Sequence, residues 1–415
     1  MIEFWQKNKA SLFGTDVKWL QKMRDDGFKY FLHNESNSFQ TILDRISLPI
    51  TDLSLSSNLK EEDLNKDLLG EYRLQQKSTL LVFVNGAFVS QLSDKIDPAS
   101  KVICMELAQA VIKYRDIVEQ CFASISIGAQ PFTALNLALM NSGLFLHIPE
   151  NTVVNEPFHF LFLATEQAQF FTNIHNLIVV AKNSKAVFLE EHLPIGTSKH
   201  FCNVCTELYS EESVNACYFQ LQNGNKASGQ ISNLTIKPGK NAKVEVHYII
   251  NGSLFARDSI HVDLQAENIF FKLKGLYMTA GDEYAELRTR VNHNVPSCAS
   301  TQLVKGVVKD ASFSDFNGRV YVQKNAIKTD AHLTNRNLLL SDKAQIKTSP
   351  ELEIYADDVN CSHGATVGQL DEQMLFYLRA RGIDEVAAKK LLVAAFVSEV
   401  TNNFIKNFSI DDAKI

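Results

Sequence analysis

The spacing of apolar residues changes along the chain, and each change predicts a different kind of element. Over roughly the first 75 residues the spacing is helical, with Phe13, Val17, Leu20 and Met23 on one face. Polar stretches at 33–37 and 51–57 interrupt it. Residues 56–64, with a candidate cap and early acids, read as a further helix start. Thr79-Leu80-Leu81-Val82-Phe83-Val84 then has the density of a buried strand. Asn85-Gly86 separates it from Phe88-Val89, which predicts a tight hairpin, because both residues tolerate positive φ. Helical stretches are expected around 104–114 and 131–139.

From about Gly143 the pattern becomes short strands. Residues 158–163, 177–180, 187–189, 214–221, 244–250, 269–273 and 304–308 are apolar or alternating runs between polar turns. A loose unit recurs: a polar turn, a small residue, then an apolar strand. It occurs as Asn183-Ser184-Lys185-Ala186-Val187, Asn241-Ala242-Lys243-Val244, Lys309-Asp310-Ala311-Ser312-Phe313 and Asp342-Lys343-Ala344-Gln345-Ile346. The copies are separated by multiples of about 25–35 residues, a solenoid period in which each rung covers the next. A β-sandwich is the rival, and it needs tight antiparallel turns. Asn-Gly pairs occur only at Asn85-Gly86, Asn223-Gly224, Asn251-Gly252 and Asn317-Gly318. The pattern favours a β-helix.

After Gly368 helical spacing returns. Asp371 and Glu372 open a segment closed by Arg379 and Arg381, as the helix dipole favours, and Gly382 is a natural stop. Asp384 can cap a second helix through Leu391, Leu392, Ala395, Phe396 and Val400. Two short amphipathic helices in this position serve either as a docking handle or as a cover for the open end of the β core. The resulting division is a helical region at 1–78, a mixed α/β entry segment at 79–142, a β-helix core at 143–368 and a helical region at 369–415.

Composition narrows the function. The 415 residues are 45% hydrophobic, enough for a sizeable core. Against 47 acidic side chains stand 41 basic ones, and no basic run is interleaved with aromatics, so nucleic acid is a poor ligand. The first residues lack the apolar core of a signal peptide, and no apolar run reaches the ~18–20 residues needed to span a bilayer. A cytoplasmic protein with no membrane partner is expected. Seven scattered cysteines do not form a disulfide framework and are expected to be reduced. No GxxxxGK[ST], GxGxxG or GxSxG sequence occurs, so the chain carries no nucleotide cradle or nucleophile elbow, and any ATP must be used by a partner. An enzyme is not expected.

Two constellations remain. Cys202-Asn203-Val204-Cys205 is a lone CxxC, and its odd spacing puts the thiols on opposite faces of a strand. Asp357-Asp358-Val359-Asn360-Cys361-Ser362-His363-Gly364 is denser. Cys361 and His363 share one strand face with Val359. A thiolate beside an imidazole suits iron or zinc, whereas the alternative is a buried cysteine beside a capping histidine. Two ligands do not complete a site, so a metal here needs ligands from elsewhere, such as another subunit.

The same segment carries a resemblance. Ser349-Pro350-Glu351-Leu352-Glu353-Ile354-Tyr355-Ala356-Asp357-Asp358-Val359, then Cys361-Ser362-His363-Gly364-Ala365-Thr366-Val367-Gly368, Leu370-Asp371, Phe376-Tyr377-Leu378 and Arg381-Gly382-Ile383 resemble the C-terminal signature of the SufB/SufD family, in its SufD form. The likeness continues upstream through His293, Ser300, Gly318-Arg319 and Asn337-Leu338-Leu339-Leu340, and more loosely at 81–90 and 134–136. It implies a mainly β protein with a right-handed parallel β-helix core between N- and C-terminal helical regions. It implies a non-catalytic scaffold for iron–sulfur cluster assembly in the SUF system, paired with a SufB-like paralogue and bound to a SufC-like ATPase. The ATPase contacts fall in the C-terminal helices, at Phe376, Tyr377, Leu378, Arg381, Leu391, Leu392 and Phe396. The resemblance also implies a part in iron entry, with His363 near the subunit interface, and no tightly bound cofactor beyond transient iron or a nascent cluster shared with the partner. Cys361 is the weaker metal candidate. SufB-type sequences carry an acid after the matching histidine, where Gly364 stands here. A SufB-like cluster scaffold and a pure interaction subunit without metal contact are the alternatives. Alone, the chain is expected to form a homodimer through the surface meant for its paralogue. A polysaccharide-active β-helix enzyme fits poorly, lacking the export signal.

Overall fold

The computed structural model describes residues 1–34, 36–48, 55, 69–70, 72–123, 131–165, 170–195 and 199–408. The helix start expected at 56–64 lies outside the described residues. Nineteen strands are described: β1 (Thr79–Val84), β2 (Ala87–Phe88), β3 (Ile103–Glu106), β4 (Leu144–Ile148), β5 (Phe158–Ala164), β6 (Phe170–Val180), β7 (Lys185–Pro194), β8 (His200–Ser210), β9 (Asn215–Asn223), β10 (Ser228–Pro238), β11 (Lys243–Asn251), β12 (Phe255–Leu264), β13 (Phe270–Thr279), β14 (Tyr284–His293), β15 (Ala299–Val308), β16 (Phe313–Val322), β17 (Thr329–Leu339), β18 (Gln345–Ile354) and β19 (Val359–Gln369). The first sheet runs β19-β17-β15-β13-β11-β9-β7-β5-β1-β2, and the second runs β18-β16-β14-β12-β10-β8-β6-β4-β3. Consecutive strands from β4 onward alternate between the sheets, and each pairs in parallel with the strand two ahead. The result is a parallel β-solenoid of about seven turns. Antiparallel pairing is confined to β1–β2, where Asn85-Gly86 makes the expected hairpin, and β3–β4.

The corners explain the recurring sequence unit. From second sheet to first, the chain turns at Asn151, Asn183, Ser213, Asn241, Asn268, Ser297 and Lys328, all with φ between 56° and 61°. A left-handed residue lets the strand turn sharply, and asparagine accepts that conformation at low cost. Successive corners lie 27–32 residues apart. The next residue is buried in six of them: Ser184, Val214, Ala242, Ile269, Cys298 and Thr329. Asparagine side chains also stack, with Asn183 Nδ2 donating to Asn151 Oδ1 at 3.0 Å and Asn268 Nδ2 to Asn241 Oδ1 at 3.3 Å. The copies at 309 and 342 sit on the opposite edge, where Gly252, Gly281 and Asp310 make the corners. The loose sequence period therefore mixed two separate ladders.

The sheets enclose one apolar core that includes Phe83, Phe162, Phe188, Val246, Leu273, Val291 and Phe316. Each outer face has its own cover. On the second sheet, Phe171, Phe201, Ile231 and Phe255 meet Phe28, Phe31 and Phe39 of the N-terminal helices and Phe132, Leu135 and Leu139 of the Pro131–Leu139 helix. On the first sheet, Leu189, Phe219, Ile249, Leu276 and Val307 meet Val397, Val400, Phe404 and Phe408 of the terminal helix Glu385–Phe408. Each such buried side chain contributes roughly 1.5–3 kcal/mol before ordering costs.

Three expectations need correcting. Residues 103–106 are strand, and the helix begins at Leu107. Edge pairing with β4 extends the backbone there before the helical face of Leu107, Ala110 and Val111 takes over. The second C-terminal helix is not short, because it spans 24 residues. Nor do the terminal helices cover the open end. The apolar stripe of Glu385–Phe408 lies along the side of the solenoid, and β18 and β19 keep their outer edges.

Candidate functional site

The last rung carries the segment singled out in the sequence. Among the described residues β19 pairs only with β17, and its register places Cys361 beside Ala331 and His363 beside Leu333. Ala331 and Leu333 belong to the solenoid core, so Val359, Cys361 and His363 project from the same, inward side. Val359 and Cys361 pack partly against that core, whereas His363 is exposed at the open end. Burial pushes the Cys361 thiol up, opposed by a backbone hydrogen bond from Ala331. Burial thus favours the thiol over the thiolate. On the other face, His332 bridges Ser362 Oγ at 2.7 Å and Asp330 Oδ1 at 2.9 Å, and Asn360 Nδ2 donates to Asp330 at 2.8 Å. Among the described residues no three His, Cys, Asp or Glu side chains are grouped to hold a metal ion. His363 is an exposed imidazole that belongs to no such group. Along the same end Ile354, Tyr355 and Val367 expose apolar surface.

The C-terminal helices form the second part. Asp371 caps the Glu372–Ala380 helix by accepting from the Gln373 and Met374 amides, Gly382 takes a φ of +88°, and Asp384 caps the next helix through Ala387 N. The first helix buries none of its residues. Phe376 is 74% exposed, Tyr377 52% and Leu391 51%. The Arg381 guanidinium lies 4.5 Å from the centre of the Tyr377 ring. Leu378 and Leu392 are half-buried. Phe396 is engaged by the body itself, since Lys305 Nζ donates to its carbonyl at 2.8 Å and sits 5.1 Å from its ring. An apolar hollow of roughly 860 Å³ opens between this helix and the first sheet, lined by Met278, Leu340, Leu370, Val386, Leu391 and Val397.

Cys202 and Cys205 lie on opposite faces of β8, as their spacing required. Cys202 accepts from Thr172 Oγ1 at 3.0 Å and packs against the core, whereas Cys205 faces Thr133 of the overlying helix. Burial pushes the Cys202 thiol up to about 12 and the Cys205 thiol higher still. All seven cysteines are free. The scattered histidines are largely structural. His175 bridges Asn136 Oδ1 and Glu207 Oε1, both at 2.8 Å, and His159 meets Glu191 at 2.8 Å. Glu190 gathers His192, Thr206 and Tyr218. No local motif announces these pairs, because most of their members are a rung or more apart in sequence.

Fold and site together define a parallel β-solenoid scaffold with helices on both sheet faces and one open end that presents a lone histidine. Residues 162–396 match the family model described as the SUF system FeS cluster assembly SufBD core domain, and residues 56–160 match the SufBD protein N-terminal region. An iron–sulfur cluster assembly SufBD family protein of Synechocystis is 31% identical over 338 residues, 79% of this chain and 75% of that one. The iron–sulfur cluster assembly protein SufD of Escherichia coli is 29% identical over 354 residues (80% and 79%), and that of Bacillus subtilis 26% over 307 residues (72% and 70%). The chain belongs to the SufBD family of the SUF iron–sulfur cluster assembly system. No helix among the described residues is long and apolar enough to cross a membrane.

Proposed function

We propose that the chain is a non-catalytic scaffold subunit that pairs through the open end of its solenoid with a SufB-like paralogue and docks a SufC-like ATPase on its C-terminal helices. In this reading His363 offers a neutral imidazole to iron or to a nascent cluster, the cargo of the complex, and the partner supplies the remaining ligands. The supporting observation is the uncovered rung: among the described residues β19 has one unpaired edge, His363 is exposed on it, and no complete set of three ligands stands there. Phe376, Tyr377 and Leu391 supply exposed apolar surface for the ATPase. The free, protonated thiols suit a reducing, cytoplasmic setting.

The test is reconstitution of the three-component complex with His363→Ala. The complex is expected to assemble with iron content and cluster yield reduced at least tenfold. Unchanged iron and yield would remove the metal contact, and failure to assemble would favour a pure interaction role. In the same preparation Phe376→Asp with Leu391→Asp is expected to abolish co-purification of the ATPase. Point changes are the correct probe, because truncation after Gly368 would strip the cover from Phe219 and Ile249.

A further inference from the structure

The second sheet's outer face continues past its helical cover as a set of rows set by register. The first row is an aromatic stack, Phe255, Tyr284 and Phe313, with ring centroids 5.2 and 5.6 Å apart. The next runs Arg257, Glu286, Asp315, Lys347, two acids between two bases, so that charge balances along the row as on a solvated face. The two rows beyond it break that rule. Ser259, Arg288 and Asn317 form one, and His261, Arg290 and Arg319 the other. These residues, with Arg257, Asn233, Thr289, and Pro131 and Phe132 at the start of the Pro131–Leu139 helix, line a cavity of about 200 Å³. The lining holds four guanidiniums and an imidazole but no carboxylate.

The neutralising acids stand behind or beside the cavity, outside its lining. Glu286, almost fully buried, accepts from Arg257 Nε at 2.7 Å and from Arg288 Nε. Arg319 reaches Glu353 and has Glu351 as its register partner on β18, and Asp263 Oδ1 lies 3.2 Å from His261 Nε2. Among the described residues Arg290 meets only the neutral Asn292 Oδ1, at 3.0 Å. Arg290 and Arg319 are direct register partners on neighbouring strands, where like charges repel. Arg257, Arg288 and Arg290 each bond through Nε, so their Nη atoms have no acceptor among the described residues. Arg319 Nε is buried without an acceptor. Arg257 is fixed by stacking 5.2 Å from the Phe132 ring centre. Guanidinium forks held in place with free Nη groups match the geometry of phosphate oxygens.

We propose that this cavity is a binding site for a small phosphate-bearing ligand. Arg288, Arg290 and Arg319 grip the oxyanion, Arg257 closes one wall, and Ser259 and Asn317 add neutral hydrogen bonds. The site is separate from the open end and does not depend on the scaffold reading. It is tested by calorimetric titration of the full-length protein, at low ionic strength, with inorganic pyrophosphate, inorganic phosphate and citrate in turn. Saturable one-to-one binding of pyrophosphate is expected, with phosphate weaker and citrate weaker again. Arg290→Gln and Arg288→Gln are each expected to weaken pyrophosphate at least tenfold, about 1.4 kcal/mol. Arg290→Lys, which keeps the charge but loses the fork, falls in between. Lys182→Gln, an equal charge loss at a distant corner, leaves affinity unchanged. Absence of saturable binding, equal weakening by Lys182→Gln, citrate binding as tight as pyrophosphate, or capture of an acidic peptide in place of pyrophosphate each overturns the proposal.

Discussion

Arg24 shows how much one side chain can carry in this fold. Its guanidinium is buried and donates to the carbonyls of Ala138 at 2.9 Å, Met140 at 3.0 Å and Phe13 at 3.1 Å. Burial lowers its pKa to about 9, so it stays charged at neutral pH. It ties the Lys18–Asn34 helix to the end of the Pro131–Leu139 helix, whose Asn136 in turn holds the backbone of β6 and β8. Arg24→Met leaves three carbonyls unpaired and is expected to cost about 3 kcal/mol in chemical denaturation. Retention of wild-type stability would show that water reaches those carbonyls. Nothing in Lys22-Met23-Arg24-Asp25 distinguishes this residue, since two of its acceptors lie more than a hundred positions away. His363 was legible for the opposite reason: it lies within a contiguous signature. The arginine cavity was not, because its members are about a rung apart and only register joins them.

At the scale of elements, the terminal helix is where sequence reading fell short and where pH acts. Phe396, Val400, Phe404 and Phe408 recur every fourth residue, so the pattern holds a helix longer than the short one expected. Beneath it, His247 stacks on Phe219 with centroids 4.5 Å apart, and Phe404 sits across its edge. Burial lowers His247 to about 4, against the attraction of Glu245. A histidine with a depressed folded value stabilises the native state above the unfolded value near 6.5, and this contribution is lost as pH falls from there toward 4. Acidification from pH 7 to 5 is therefore expected to loosen the helix, seen as lower amide protection factors, relative to the intrinsic exchange rate at each pH, across Glu385–Phe408. His247→Leu is expected to flatten that dependence. An unchanged pH profile in the variant would assign the effect elsewhere, for instance to His293, also lowered to about 4.

For the whole molecule the asymmetry of its ends decides behaviour. The solenoid class was legible because corner residues punctuate the chain. Which end stays open was not, because it depends on where the terminal helix lies down. An 11-residue edge with exposed Val367 invites pairing with another edge. In the absence of a paralogue the purified chain is expected to dimerise with concentration in light scattering, and Val367→Lys to hold it monomeric. A monomer at every concentration would place the pairing surface elsewhere. The ladder of left-handed corners has a further consequence, for how such a protein can change over evolutionary time. Each corner returns the chain to an equivalent starting orientation, so length is quantised. A whole rung of 27–32 residues can be gained or lost without disturbing what is inside and what is outside. One residue inserted within a strand reverses the two faces until the next corner. Relatives of different size will therefore differ by complete rungs, at the corners or in the helical ends, and hardly ever in between.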